Sequence, residues 1–354
     1  MYKIAYFYPY FHLVSFQFIA KHHVNALKKI AKVTQFDESV FYRRLALFFL
    51  PKYDSIFLHP LFYLALERYK HLLTVKRKCD LLVGVDVADS TLLSPKAVKV
   101  ANFCDLIIVP SSFSKEVYHT SGVDTDIEVV PHGVSKIFVQ DDLQIVHPIL
   151  QKLLRLKFEK GYIYVLYFLW HSWKRKGAHI VYSVVQKIQE KYRNVILLLK
   201  TGDIYDPFVE ILMNLRTIRL EGYISRYTLA QLYRIADVLL VPSLAGGFEL
   251  NALEGIVSGL PTIIPNSPFF NDYKHYAITI PEVREVELYE DNPIHIGKGF
   301  EPTVESTYET LVTVIEHLDY YKEIFQKQKW KVYEEFKWDR IYGKLIEIIK
   351  KYLS

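Results

Sequence analysis

The chain has 354 residues, 51% hydrophobic and 23% charged, with 27 Tyr and 22 Phe. This is a globular composition with material for two cores, and it excludes extended disorder. Net charge is +5, unevenly spread: residues 1–100 carry 15 Lys+Arg against 7 Asp+Glu, and the other 254 carry 29 against 32.

The two cysteines, Cys79 and Cys104, each precede an Asp at the head of an apolar run. Buried thiols in a reducing compartment are expected, and no Cys/His metal spacing is present. No run reaches the ~18 apolar residues of a spanning helix, and MYKIAYFYPY at the start reads as a strand, not a signal peptide. A cytoplasmic protein is expected, with the inner membrane face as the alternative setting.

Strand-like apolar runs occur at 3–8, 55–59, 80–85, 105–110, 162–170, 194–200, 238–242 and 261–265. Amphipathic stretches separate them, among them FQFIAKHHVNALKKIA, AHIVYSVVQKIQEKY and TLAQLYRIA. This alternation predicts an α/β fold of βαβ units with parallel sheets covered on both sides. It breaks over residues 134–160, which predicts two Rossmann-like domains, 1–145 and 146–335, facing across a cleft. The helical end, 336–354, is long enough to pack back on the first domain. In such folds ligands bind beyond the carboxyl ends of the strands, so the loops there are expected to carry the chemistry.

Three basic amphipathic segments, 18–32, 40–52 and 66–78, account for the N-terminal charge. Such surfaces suit an anionic membrane or a lipid-linked acceptor. Core-facing helices with solvated lysines explain the same pattern. Nucleic acid is not favoured, since aromatic and basic residues do not interleave in order. In the first domain, candidate strand-end groups are His59 (FLHP), Asp86 and Asp89 (GVDVADS). The alternatives are a capped strand end for His59 and an N-cap of the next helix for either Asp.

LWHSWKRKG, 169–177, follows the first strand of the second domain. Lys174, Arg175 and Lys176 there are placed to stabilise developing anionic charge, or form a solvated loop. In VLLVPSLAGGFELNALEG, Gly246 and Gly247 lead from a strand into a helix whose amides face a phosphate well. An ordinary βα turn is the alternative. On a helix counted from Phe248, Glu249 falls inside the apolar arc and Glu254 at its edge. Glu249 serves the helix dipole or a ligand. Glu254 is mid-helix, where the dipole gives it nothing. Its two oxygens match the two hydroxyls of a ribose, with a structural ion pair as the alternative.

WHSWKRKG, VPSLAGGFELNALEG and SGLPTIIPN stand in the order and at the spacing of the donor domain of family-4 (group 1) retaining glycosyltransferases with the GT-B fold. EGYISRYTLAQLYRIADVLLVPS resembles the lead-in to that loop. CDLIIVPSSFSKEVYHTSGVDTDIEVVPHGV resembles the end of the family's acceptor domain, and FKWDRIYGKLIEIIKKYL its terminal helix. The resemblance covers most of 80–354; residues 1–79 match in pattern only.

The resemblance implies that Lys176 contacts a donor diphosphate and Glu254 the donor ribose. It implies that Gly247, Phe248, Glu249 and Leu250 form the loop facing sugar and phosphates. It further implies metal-independent transfer from a UDP- or GDP-sugar, with no bound cofactor, to a glycan, lipid-linked or protein acceptor. Two positions depart from the pattern: Gly246 stands where the family has a Glu, and His171, or Trp170 if the loop is shifted by one, where it has an Arg. Glu249 is placed to substitute for the first, and Lys174 or Arg175 for the second. Asp86 occupies roughly the position of a family His, so the catalytic set is Asp86, Glu249 and Lys176. The rival functions are a non-catalytic sugar-nucleotide or glycan-binding protein on the same scaffold and a dinucleotide oxidoreductase. The oxidoreductase ranks low because no Gly-x-Gly-x-x-Gly follows the first strand.

Overall fold

The computed structural model describes residues 1–12, 14–289 and 291–353. Its internal contacts form two compact units, one of Met1–Gly133, Tyr289–Gly297 and Phe336–Ser354, the other of Val134–Leu288 and Lys298–Glu335. Residues 134–145, assigned by sequence to the first domain, group with the second unit. They are tied to it by bonds from Gln231 Nε2 to Gln144 O (2.6 Å) and from Tyr227 Oη to the same carbonyl (3.1 Å).

The first unit opens with β1 (Tyr2–Tyr8), α1 (Ser15–Leu27), β2 (Ala31–Asp37), α2 (Glu38–Tyr42), α3 (Arg44–Phe48) and β3 (Tyr53–Leu58). It continues with α4 (Leu61–Ala65), α5 (Tyr69–Lys76), β4 (Cys79–Val85), α6 (Pro95–Ala101), β5 (Leu106–Val109), α7 (Ser112–Thr120) and β6 (Asp126–Val129). The six strands pair parallel in the order β2-β1-β3-β4-β5-β6. Central strands are buried on both faces, which is why 4–8 and 81–85 read as continuous apolar runs. Gly84 is needed where α4 and β5 press on β4, because a Cβ there would stand 2.7 Å from Leu61 Cδ2 and 2.8 Å from Ile107 Cδ1.

The second unit contains α8 (Pro148–Lys160), β7 (Ile163–Leu169), α9 (Ala178–Lys191), β8 (Val195–Thr201), α10 (Phe208–Leu212), β9 (Thr217–Leu220), α11 (Arg226–Ile235) and β10 (Val238–Leu240). Then come α12 (Leu250–Val257), β11 (Thr262–Pro265), β12 (Ile278–Ile280), β13 (Val283–Glu287), β14 (Lys298–Pro302), α13 (Val304–Glu316) and α14 (Leu318–Phe336). Its sheet is also parallel, in the order β12-β11-β10-β7-β8-β9, with β13 and β14 as a separate antiparallel pair. Each unit is Rossmann-like, as the alternation predicts. The break at 134–160 proves to hold a short 3₁₀ turn at Lys136–Phe138 and helix α8.

The last helix, α15 (Trp338–Leu353), packs on α1 within the first unit. Its buried Trp338, Ile341, Leu345, Ile348 and Ile349 recur at three- and four-residue steps. The Trp338 ring stacks on His22 with centroids 3.7 Å apart, and it covers Gly133 so closely that a Cβ there would strike the ring. Truncating a buried indole of this kind costs on the order of 3–5 kcal/mol. Among the described residues no helix is long and apolar enough to cross a membrane.

Candidate functional site

In a parallel sheet a crevice opens where neighbouring strands send their connections in opposite directions. In the second unit that place lies between β7 and β10, and the loops leaving them are 170–177 and 241–249. These are the two loops singled out from sequence, and the backbone knits them together. Leu244 N donates to Arg175 O (2.8 Å), and Phe300 N of β14 donates to Leu244 O (2.7 Å). Gly177 has φ +69°, and any side chain there would run into the carbonyl of Pro242, so the loop can close only with glycine.

Lys176 Nζ sits 2.6 and 2.8 Å from the two carboxylate oxygens of Glu249. Arg175 Nη1 lies 3.9 Å from Glu249 Oε1 and donates to Ala245 O at 3.2 Å. Glu249 does not lie in the first turn of the helix, contrary to the count from Phe248. The helix, α12, begins at Leu250, and Glu249 is its N-cap residue (φ −85°, ψ 85°) with no side-chain capping bond. Its carboxylate turns away from the helix amides because two fixed cations hold it more strongly. The carboxylate also occupies the space above Gly246, where a Cβ would stand 2.6 Å from Glu249 Oε1.

Around this pair Gly246 and Gly247 are buried, Phe248 and Leu250 half-buried. The Phe248 ring leans on Tyr273, centroids 5.3 Å apart, and Tyr273 Oη donates to Glu249 O at 2.9 Å. Burial drives the Tyr273 phenol well above its usual range, so it stays a donor. Lys174 is exposed. His171 is exposed as well, its Nδ1 2.6 Å from Ser172 Oγ, on a turn where Ser172 takes φ +63°.

Glu254 lies within α12, five residues beyond Glu249, and faces a different set of partners. It is 2% exposed. Arg226 Nη2 bonds its Oε1, and Tyr233 Oη approaches its Oε2 at 3.3 Å. Burial raises the pKa of Glu254, and Arg226 and then the two hydrogen bonds oppose the rise. Arg226 and Tyr233 sit on α11 seven residues apart, hence on one face. The guanidinium also lies over Phe138, 4.5 Å from the ring centroid. Sequence reasoning passed over both residues although they stand in the stretch EGYISRYTLAQLY; the signal was their i, i+7 spacing opposite a buried carboxylate. It also passed over Lys200 at the end of β8. This lysine is 2% exposed, bonded to the carbonyls of Thr201 (2.6 Å) and Gly222, and lowered by burial to about 8.

In the first unit the order of strands reverses between β1 and β3, and His59 directly follows β3. Tyr6 Oη bridges His59 Nδ1 and His23 Nδ1, 3.0 Å from each. Burial, and after it the neighbouring imidazoles, holds His59 well below its ordinary range and lowers His23 and His132 to about 3. These imidazoles are therefore neutral near pH 7. His59 is a strand-end residue paired through its ring, and Tyr6 and His23 are members of the cluster that sequence reasoning missed.

Asp86 is 4% exposed and accepts from Phe62 N and Val87 N, each at 2.8 Å. It ties the first turn of α4 to the end of β4. The N-cap of α6 is Ser94, so neither Asp86 nor Asp89 fills that role. Burial raises Asp86 to about 7 against the lowering effect of the amides. Asp89 is half-buried, and its amide faces His295 Nδ1 at 3.3 Å.

Residues 163–281 match the family model described as Glycosyl transferases group 1. The chain is 28% identical to uncharacterized protein 356 of Sulfolobus islandicus rod-shaped virus 1, over 99% of this chain and 98% of that one. It is 25% identical to putative glycosyltransferase 45 of Sulfolobus islandicus filamentous virus, over 65% of this chain and 62% of that one. Among solved structures it resembles sucrose-phosphate synthase of Thermosynechococcus elongatus (TM-score 0.74, 15% identity, 99% of both chains). It likewise resembles Anabaena HepE in complex with UDP and glucose (TM-score 0.68, 15% identity, 99% of this chain and 100% of that one).

Proposed function

We propose, for a chain whose residues 163–281 are a group 1 glycosyltransferase domain on a GT-B fold, that this glycosyltransferase takes a nucleoside-diphosphate sugar at the β7/β10 switch point of its second unit. The observation that carries this reading is the convergence of Lys176 and Arg175 on the buried carboxylate of Glu249, the residue just before α12. Cations and helix amides there favour a diphosphate. Glu249 is the residue that addresses the sugar hydroxyls. Its carboxylate fills the space above Gly246, so one carboxylate is kept at the loop although its place in the chain has moved by three residues.

Glu254 holds the ribose, and Arg226 and Tyr233 orient it. Transfer is retaining. The bond between the anomeric carbon and the diphosphate oxygen breaks, the acceptor oxygen bonds that carbon on the same face, and the acceptor proton passes to the departing diphosphate. The charge that develops on the leaving group is stabilised by Lys176, Arg175 and the loop amides, which need not reorganise as it forms. The step involves no metal and no bound cofactor, so an excess of EDTA leaves the rate unchanged; a rate abolished by EDTA and restored by a divalent cation refutes that part. Asp86 acts as a positioning residue for the acceptor side, with His59 and Asp89 beside it. The acceptor is a glycan, lipid-linked or protein hydroxyl, and the setting is the cytoplasm.

UDP-, GDP- and ADP-sugars are screened by thermal shift, and those that bind are then assayed for nucleotide release. A UDP- or GDP-sugar is expected to raise the melting temperature and to be turned over. Binding without turnover on any acceptor would favour the second reading, a sugar-nucleotide-binding protein, for which Gly246 is the specific observation. Absence of binding by all three classes removes the donor site altogether.

A further inference from the structure

The three basic segments of the first unit part company in the structure. Helix α1 turns Ile19, Ala20, Val24 and Leu27 into the core, and Lys21 on it, with Lys28 and Lys29 just past its end, faces solvent, so its apolar side is spent on the core. Residues 43–52 differ. Leu47 and Leu50 of this segment are buried, but Leu45 is 71%, Phe48 49% and Phe49 80% exposed. Positions i, i+3 and i+4 share one side of a helix, so these three form a single outward face on α3 and its C-terminal end. A globular surface leaves single apolar residues exposed as a matter of course, but a contiguous apolar face ringed by one sign of charge marks a contact.

The ring is cationic. Arg43, Arg44 and Lys52 are exposed, and residues 39–53 contain no Asp or Glu. The Arg44 guanidinium lies 5.5 Å from the Phe48 ring centroid. Beneath, α3 packs on α5, and Lys78 Nζ just past α5 holds the Phe48 carbonyl at 2.7 Å. The platform is therefore fixed to the fold. Leucine and phenylalanine projecting between arginines match the boundary of a bilayer, where rings enter the acyl region and guanidinium groups meet anionic headgroups. A second copy of the chain would bring the same positive charge against itself, so charge complementarity selects an anionic partner.

We propose that Leu45, Phe48 and Phe49, with Arg43, Arg44 and Lys52 around them, form a docking surface by which the first unit seats on an anionic lipid membrane. This surface is independent of the donor site and would serve an acceptor presented at a bilayer. The full chain is tested by sedimentation with vesicles of phosphatidylcholine alone or containing phosphatidylglycerol at about 30%. Binding is expected to the mixed vesicles, at least tenfold weaker to phosphatidylcholine alone, and weaker at high salt.

The variants Leu45→Glu/Phe49→Glu and Leu45→Ser/Phe49→Ser are expected to lose at least tenfold in partitioning with unchanged melting temperature and unchanged UDP-sugar binding. Wild-type partitioning by these variants, or no binding to the mixed vesicles, overturns the proposal. So does a dimer in solution that both variants dissociate, since a second copy then covers the face. Loss of UDP-sugar binding by the wild-type chain would count against the donor site alone and leave the vesicle result standing.

Discussion

The two units share one construction and use it for opposite electrostatics. Each is a parallel six-stranded sheet whose order reverses once, between β1 and β3 in the first unit and between β7 and β10 in the second. At the second reversal stand charges: Lys176 and Arg175 around the Glu249 carboxylate, with helix α12 beginning at the next residue. At the first stand groups that burial keeps uncharged, Tyr6 bridging His23 and His59, with Asp86 held near neutrality on the adjoining strand. A site of fixed charges stabilises an anion that forms during the reaction. A desolvated, uncharged one suits a neutral hydroxyl. On the proposed function, the donor would take the charged reversal and the acceptor the uncharged one, at the same topological position of the two sheets.

The sharpest way to break this contrast is to remove the charge. Lys176→Ala is expected to lower kcat/KM about 10²–10³-fold, the range seen when one preorganised donor to a developing anion is lost. The substitution also leaves Glu249 buried with its nearest cation gone, which destabilises the unit. The melting temperature therefore has to be read beside the rate, and the double variant Lys176→Met/Glu249→Gln restores the melt without restoring activity. A Lys176→Ala enzyme with wild-type turnover would move the diphosphate elsewhere. Next in size is Glu254→Ala, expected to weaken UDP-sugar binding more than tenfold by calorimetry. Because Arg226 and Tyr233 lose their partner in that variant, Arg226→Ala with Tyr233→Phe is expected to weaken binding less than Glu254→Ala does. Equal losses would make Glu254 a structural pair and nothing more.

The eight strand-like runs found in the sequence are the eight interior strands of the two parallel sheets; the six strands it missed are the four edges of those sheets, β2, β6, β9 and β12, and the antiparallel pair β13 and β14. An interior parallel strand is covered on both sides and must be apolar throughout. An edge strand such as AKVTQFD is largely half-exposed and carries polar residues, so no period marks it. The loops 170–177 and 241–249 were legible for the same reason: they follow interior strands, and Gly177 announces a close crossing. What could not be read was pairing between distant segments. Nothing in NALEG names Arg226, 28 residues earlier, as the partner of Glu254. Nothing in FLHP shows that Tyr6 and His23 close around His59. The start of α12 was misplaced because Phe248 and Leu250 continue the apolar period through Glu249, while Lys176, which holds Glu249 out of the helix, lies 73 residues away.

The uncharged side of the contrast is tested by pH. His23 and His59 titrate near 6.5 when unfolded and far lower when folded, so above about 6.5 they add no pH dependence. Below it the unfolded chain takes up protons that the fold refuses, and stability falls as pH falls. Each contributes a slope of up to about 1.4 kcal/mol per pH unit. Phenylalanine at His23 removes one such slope, and denaturant melts between pH 4.5 and 7 measure it. An unchanged slope would mean that the imidazole is charged in the fold.

Asp86 acts in the other direction and over an overlapping window. Its carboxyl is held at about 7 in the fold against about 4 in the unfolded chain. Below about 4 both states are protonated and the stability associated with this group is complete. It is lost as pH rises toward 7, because the unfolded chain releases a proton that the fold retains. Between about pH 4.5 and 6.5 His23, His59 and His132, all lowered by burial, therefore make stability rise with pH, and Asp86 cancels about one of their three slopes.

Asp86→Asn removes the cancelling term and keeps an acceptor for one of the two amides from Phe62 and Val87. Its stability is expected to climb more steeply than the wild type's by about 1.4 kcal/mol per pH unit in that window, and to run parallel to it above pH 7.5. Because every other titrating group is common to the two chains, the difference isolates this carboxyl. Parallel curves throughout would show that Asp86 is ionised in the fold, available as a base rather than as a positioning group, and would erase the difference in charge between the two halves of the molecule.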